Sequence, residues 1–151
     1  MRQVVPFRNT AIRAADCSDV EGARGEWGRG ISPHGLVCGL LMAACAYWTR
    51  DWDAPMLFMG PVVPGSVLAG FRVARGGVVE LGMAAGAATA ATGHGIAASA
   101  AFLFCATTGA WFASVAWVVM GATLVLLSVM LGAAFGAVGA ILSRVVWATR
   151  S

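Results

Sequence analysis

Two ionisable side chains fall within the long apolar stretch 78–105: Glu80 near its start and His94 near its middle. An ionisable group inside a membrane helix is a functional candidate by default, because burying a charge in hydrocarbon is costly. His94 could relay protons, ligate haem or hold a metal ion. Each of these chemistries needs partners. A bis-histidine haem needs a second histidine at the same depth, but His34 stands at the start of an earlier apolar stretch. A metal site needs several donors, and Cys38, Cys45 and Cys105 show no ligand spacing. The competing reading is a neutral imidazole bonded to a serine, a threonine or a backbone carbonyl, since buried polar groups find partners. Glu80 falls in a first helical turn, where a carboxylate favours the positive end of the helix dipole. No GxSxG, HExxH, P-loop or paired-carboxylate pattern occurs. The residues therefore predict a protein that is not an enzyme, with no catalytic, cofactor or metal set.

What must position these side chains is a set of apolar helices. The chain is 59% hydrophobic and 11% charged, against roughly 25% charged for a soluble domain. Between residues 31 and 147 the only charged side chains are Arg50, Asp51, Asp53, Arg72, Arg75, Glu80 and Arg144. Four stretches, 31–48, 54–71, 78–105 and 111–143, approach or exceed the roughly 20 apolar residues that cross a bilayer. The fold class expected is all-α, a polytopic bundle of four transmembrane spans.

Residues 1–30 form a polar, arginine-rich tail with glycines at 22, 25, 28 and 30, expected to be a flexible lead-in. It lacks the apolar core of a secretory signal, while the acid-free, arginine-bearing residues 2–14 loosely match a transit peptide. Ser32 and Pro33 are good N-cap and N1 residues for the first span. Tyr47, Trp48 and Trp52 mark its far end as an interfacial aromatic group. Asp53 can cap the second span. Pro61 and Pro64 are expected to kink it, each removing a backbone bond, with a re-entrant loop as the alternative. In the third span Gly82, Gly86, Thr89 and Gly93 share one face at spacings of three and four; in the fourth, Gly132, Gly136, Gly139 and Ala140 do the same. Small residues let helix backbones approach closely, so these two faces are expected to pack together. The third span would be roughly 42 Å long and must tilt or project, with Gly93-His94-Gly95 as its flexible point. The fourth is too long for the core unless it projects or breaks. The scattered serines are expected to bond their own backbone or to pack.

Four spans put nine of the ten arginines on one side, in the tail, the Arg72/Arg75 loop and the C-terminus, and only Arg50 on the other. Cytoplasmic loops carry such an excess. The expectation is a multi-pass cell-membrane protein with both termini cytoplasmic and no nucleic-acid partner. The lipid bilayer is its first partner, and a second copy or another membrane protein its second. None of the four cysteines forms a CxxC pair, and Cys38 and Cys45, seven apart on one helix, cannot bond to each other.

The run PVVPGSVLAGF (61–71), the basic turn RVARGG, the start ELGMAAGAA and the close GAAFGAVGAILSRVV resemble a group of small, mainly haloarchaeal, four-helix membrane proteins of unknown function. The resemblance covers about residues 31–147. It implies an integral membrane protein and transfers no site residues. Three functions are open on this reading: association through small-residue helix faces; a small transporter or channel built on the broken second span and His94; and a haem- or metal-bearing redox subunit.

Overall fold

The structure, a computed structural model, describes residues 32–49, 60–74 and 78–149, all within the unit Ile31–Ser151. The tail and the segment 50–59, with Trp52 and the expected cap Asp53, lie outside the described residues. Among the described residues four helices follow in order: α1 (Pro33–Thr49), α2 (Val62–Val73), α3 (Val79–Thr107) and α4 (Trp111–Ala148). Among the described residues there is no strand.

Ser32 caps α1 as its type predicts. Its Oγ accepts the Gly35 N–H, the third helical position, at 3.4 Å, satisfying one of the N–H groups a helix start leaves open. α2 differs from expectation. It begins at Val62, so the prolines do not kink a longer helix. Pro61 is the N-cap (φ −73°, ψ −28°), and Pro64 lies in the first turn, where a missing N–H costs no hydrogen bond. The glycines at 93 and 95 do not break α3, which runs unbroken for 29 residues. It ends in a Schellman turn. Ala110 N–H reaches Cys105 O at 3.0 Å, Gly109 N–H reaches Ala106 O at 3.4 Å, and Gly109 adopts φ +81°, a conformation that glycine takes without steric cost. This tight reversal sends α4 back along α3. α4 is a single helix of 38 residues, roughly 57 Å, which is longer than the roughly 30 Å hydrocarbon core of a bilayer is thick.

The register between helices follows from close approaches. Along α1, Ser32 meets Thr89, Gly35 meets Thr92, Gly39 meets Ile96 and Tyr47 meets Phe104, so α1 runs parallel to α3. In α2, Val62 lies by Gly93 and Ser66 by Gly86, so α2 runs antiparallel to α3 and parallel to α4. Both short helices therefore start part-way along α3, near Thr89–Gly93, and run toward opposite ends of it.

The interior is made of small and hydroxyl side chains. Ala85, Ala90, Ala97, Ala101, Ala140, Ser66, Thr89, Ser128 and Ser143 are buried, with Met42, Cys38 and Trp117 among the few larger ones. The outside carries the large apolar residues: Phe112 is 96% exposed, Met130 74% and Leu126 70%. By length and composition α3 and α4 can each cross a membrane, whereas α1 and α2, at 17 and 12 residues, are shorter.

Candidate functional site

The centre of the molecule is the contact of α3 with α4. A Cβ placed on Gly82 would lie 2.6 Å from the Ala140 Cβ and 2.7 Å from the Gly136 carbonyl oxygen. One on Gly132 would lie 2.5 Å from both the Ala90 Cβ and the Gly86 oxygen. Cβ atoms on Gly86 and Gly136 would collide with the backbone of Gly132 and of Gly82. Real Cβ atoms do not come this close, so each glycine is required by the facing main chain. Gly136 also meets Gly70 of α2, and Gly139 turns wholly to α2, at Val67 and Phe71. Gly93, placed on the same face by its spacing, meets α1 and α2 instead: its nearest neighbours are Met42, the Gly35 oxygen and Val62 at 3.4–3.5 Å. That is ordinary contact. The two small-residue faces are thus covered by this chain's own helices.

His94 sits midway along α3, 1% exposed. Its Nδ1 donates to the Ala90 carbonyl, one turn back, at 3.2 Å. A carbonyl oxygen only accepts, so that bond needs the hydrogen on Nδ1. Glu80 is exposed in the first turn of α3, roughly 21 Å from His94 along the helix axis. The structure does not bring these two groups together. Among the described residues no three of His, Cys, Asp and Glu gather closely enough to hold a metal ion.

Three serine and threonine contacts tie helices to one another or to a helix end. Thr89 Oγ1 donates to the Ala85 carbonyl at 2.9 Å, which uses its one hydrogen. The Ser32 hydroxyl, 2.9 Å away, therefore donates to Thr89 Oγ1 and ties the start of α1 to α3. Ser66 donates to the Gly86 oxygen at 3.3 Å, and Ser143 donates to the Ala74 oxygen at 3.2 Å. Ser99, Ser114 and Ser128 bond carbonyls of their own helices. Replacing Thr89 by valine keeps the shape and removes the hydroxyl from both bonds. We expect a loss of about 1 kcal/mol, the scale of an interhelical hydroxyl bond in membranes, read as a lower midpoint of thermal unfolding in micelles.

The reading of the sequence missed several of these residues. Gly35 and Gly39 form a GxxxG pair that was visible as such. Their added Cβ atoms would lie 2.6 Å from the Thr92 Cβ and 2.7 Å from the Ile96 Cβ. For Gly65, Gly70, Ser66 and Ser143 no sequence signal existed, because their partners stand on other helices.

An open groove of about 740 Å³ runs between α3 and α4 toward their Thr107/Trp111 ends, lined by Ala98, Ser99, Phe102, Trp117, Gly121 and Leu126, with His94 not among its walls. No protein-family model, no curated protein and no solved structure matches the chain. The resemblance to the haloarchaeal group rests on the quoted residues alone.

Proposed function

We propose that this is an integral membrane protein without enzymatic activity that works by helix-to-helix association with a second copy or a membrane partner. The observation that carries the reading is the inverted polarity of the bundle: glycine, alanine, serine, threonine and one histidine inside, large apolar side chains outside. Water would drive such a surface to aggregate, whereas lipid accepts it. α3 and α4 make full crossings. We read α1 and α2 as two partial crossings, and the arginine excess in the tail, the Arg72/Arg75 loop and the C-terminus supports cytoplasmic termini.

The surface for association differs from the one the glycine pattern suggested. Gly82, Gly86, Gly132 and Gly136 hold the chain together and are not free to meet a partner. A third set of small residues remains on the opposite side of α3: Ala84, Ala88, Ala91 and Gly95, half-buried or exposed. A Cβ on Gly95 would meet nothing within 4 Å. We expect Gly95→Leu to leave thermal stability within about 0.5 kcal/mol and to lower the oligomer fraction in liposomes, measured by energy transfer between labelled copies. A wild-type chain that stays monomeric and recruits nothing in bilayers would sink this reading.

One observation favours a second reading, a small transporter or channel. α1 and α2 both begin beside the middle of α3, and interrupted helices with starts at mid-depth are the pattern of transporter binding sites. Against it, His94 is fully buried and bonded to its own helix. Ion or proton flux in liposomes that Thr89→Val or His94→Leu abolishes would decide for transport.

A further inference from the structure

We propose that the lipid partner of this protein is a bilayer of long-chain lipids, thicker than the average membrane. The inference rests on the reading of the chain as an integral membrane protein and adds the length of acyl chain that fits it. It is carried by the distance between the two polar ends of the bundle.

One end is marked by charge. Glu80 is exposed in the first turn of α3, and Arg72 is exposed in the last turn of α2. A Cβ on Gly82 would meet Ala140, and one on Gly139 would meet the Phe71 nitrogen, so both charged residues stand near the level of Gly139 and Ala140 in α4. The other end is marked by aromatic rings. Tyr47 and Trp48 are exposed, and the Tyr47 ring lies edge-on to that of Phe104, with centroids 6.5 Å apart. Exposed Tyr and Trp rings settle at the membrane–water boundary. Glu80 and Phe104 belong to the same unbroken helix and stand roughly 36 Å apart along its axis.

Between those levels no described side chain is Asp, Glu, Lys or Arg. Along the same height α4 turns Val118, Val119, Leu126, Leu127, Met130 and Val138 outward. It stays apolar past the charged level too, with Ile141 and Leu142 exposed before Arg144, so roughly 36 Å is the lower bound on the apolar height. An average hydrocarbon core is roughly 30 Å thick, and sterol- and sphingolipid-rich ones about 32–33 Å. The usual tilt of about 20° still leaves roughly 34 Å. Bending is opposed by the glycine contacts, which lock α3 to α4 main chain against main chain at Gly82, Gly86, Gly132 and Gly136. Longer acyl chains remove the mismatch with no change in the protein.

The test uses the full chain in phosphatidylcholine vesicles. Brominated dioleoyl lipid is the common quencher of tryptophan fluorescence, and its displacement by dimyristoleoyl, dioleoyl or dierucoyl lipid ranks their affinities. The expected result is dierucoyl lipid binding at least about twofold better than dioleoyl, with dimyristoleoyl the weakest. Val115 and Val119 are exposed one turn apart near the aromatic end of α4. Changing both, Val115→Asp with Val119→Asp, moves the polar boundary inward and should return the preference to dioleoyl lipid, with circular dichroism as the check on folding. Should that variant fail to fold, the ranking by the parent chain decides alone. Equal or tighter binding of dioleoyl lipid by the parent chain, or a folded variant that keeps the long-chain preference, would overturn the proposal and leave the membrane reading standing. A chain that alkaline carbonate strips from the vesicles would overturn the membrane reading and the proposal with it.

Discussion

Gly86→Leu is expected to part α3 from α4 and to cost about 3 kcal/mol or more, at or above the upper end of overpacking penalties. The reason is what the new side chain would strike. A Cβ on Gly86 runs into the Gly132 carbonyl and lies 2.8 Å from the Gly136 Cα. A flexible side chain could swing aside, but main chain cannot without moving a helix of 38 residues. Gly136→Leu meets the Gly82 backbone and should cost as much. Both variants should lose the sharp unfolding transition in micelles and run as broadened species by size exclusion. Gly95→Leu is the control on the same helix, with nothing within 4 Å of its new Cβ. If Gly86→Leu and Gly95→Leu unfold at the same temperature, the close antiparallel packing described here is wrong. The comparison also separates fold from assembly. A change at Gly86 lowers oligomer content because the monomer is damaged, whereas a change at Gly95 lowers it with the monomer intact.

His94→Ala is the second large effect. The ring is 1% exposed, so its removal leaves a hole in the interior of the bundle, at about 2–4 kcal/mol. His94→Leu restores most of the volume and gives up the Nδ1–H bond to Ala90 O, for about 1 kcal/mol. Thermal unfolding of the two variants side by side is the measurement. A leucine variant near wild type and an alanine variant far below it would identify His94 as a packing residue. Equal losses in both would show that the imidazole's polar contacts matter more than its volume. Loss of liposome flux in a stable leucine variant would move the protein into the transport class.

Much of the architecture was legible in residue order because helices obey local rules. The Ser32-Pro33 start and the apolar lengths of α3 and α4 need only the chemistry of neighbours along the chain. The small-residue faces at Gly82/Gly86 and Gly132/Gly136 were legible too, since a stripe at spacings of three and four shows which side of a helix admits a backbone. The place of the prolines was not legible locally: Pro61 and Pro64 stand at the start of α2, as N-cap and first-turn residue, and not inside a helix as kinks.

The order of amino acids by itself determined helices in place of strands among the described residues, the apolar lengths of α3 and α4, and the faces on which backbones can meet; it pointed to four crossings where two helices are long and apolar enough for one. Each follows from side-chain type and helical period, which are properties of a segment. Only the tertiary structure decided what those faces meet. It spent the glycine stripes inside the chain, divided Gly139 from its neighbours by turning it to α2, and led Ser32 to Thr89 and Cys38 to Pro61. Those pairings depend on the register between helices, which is fixed by how backbones separated by tens of residues fit together, and no local pattern encodes it.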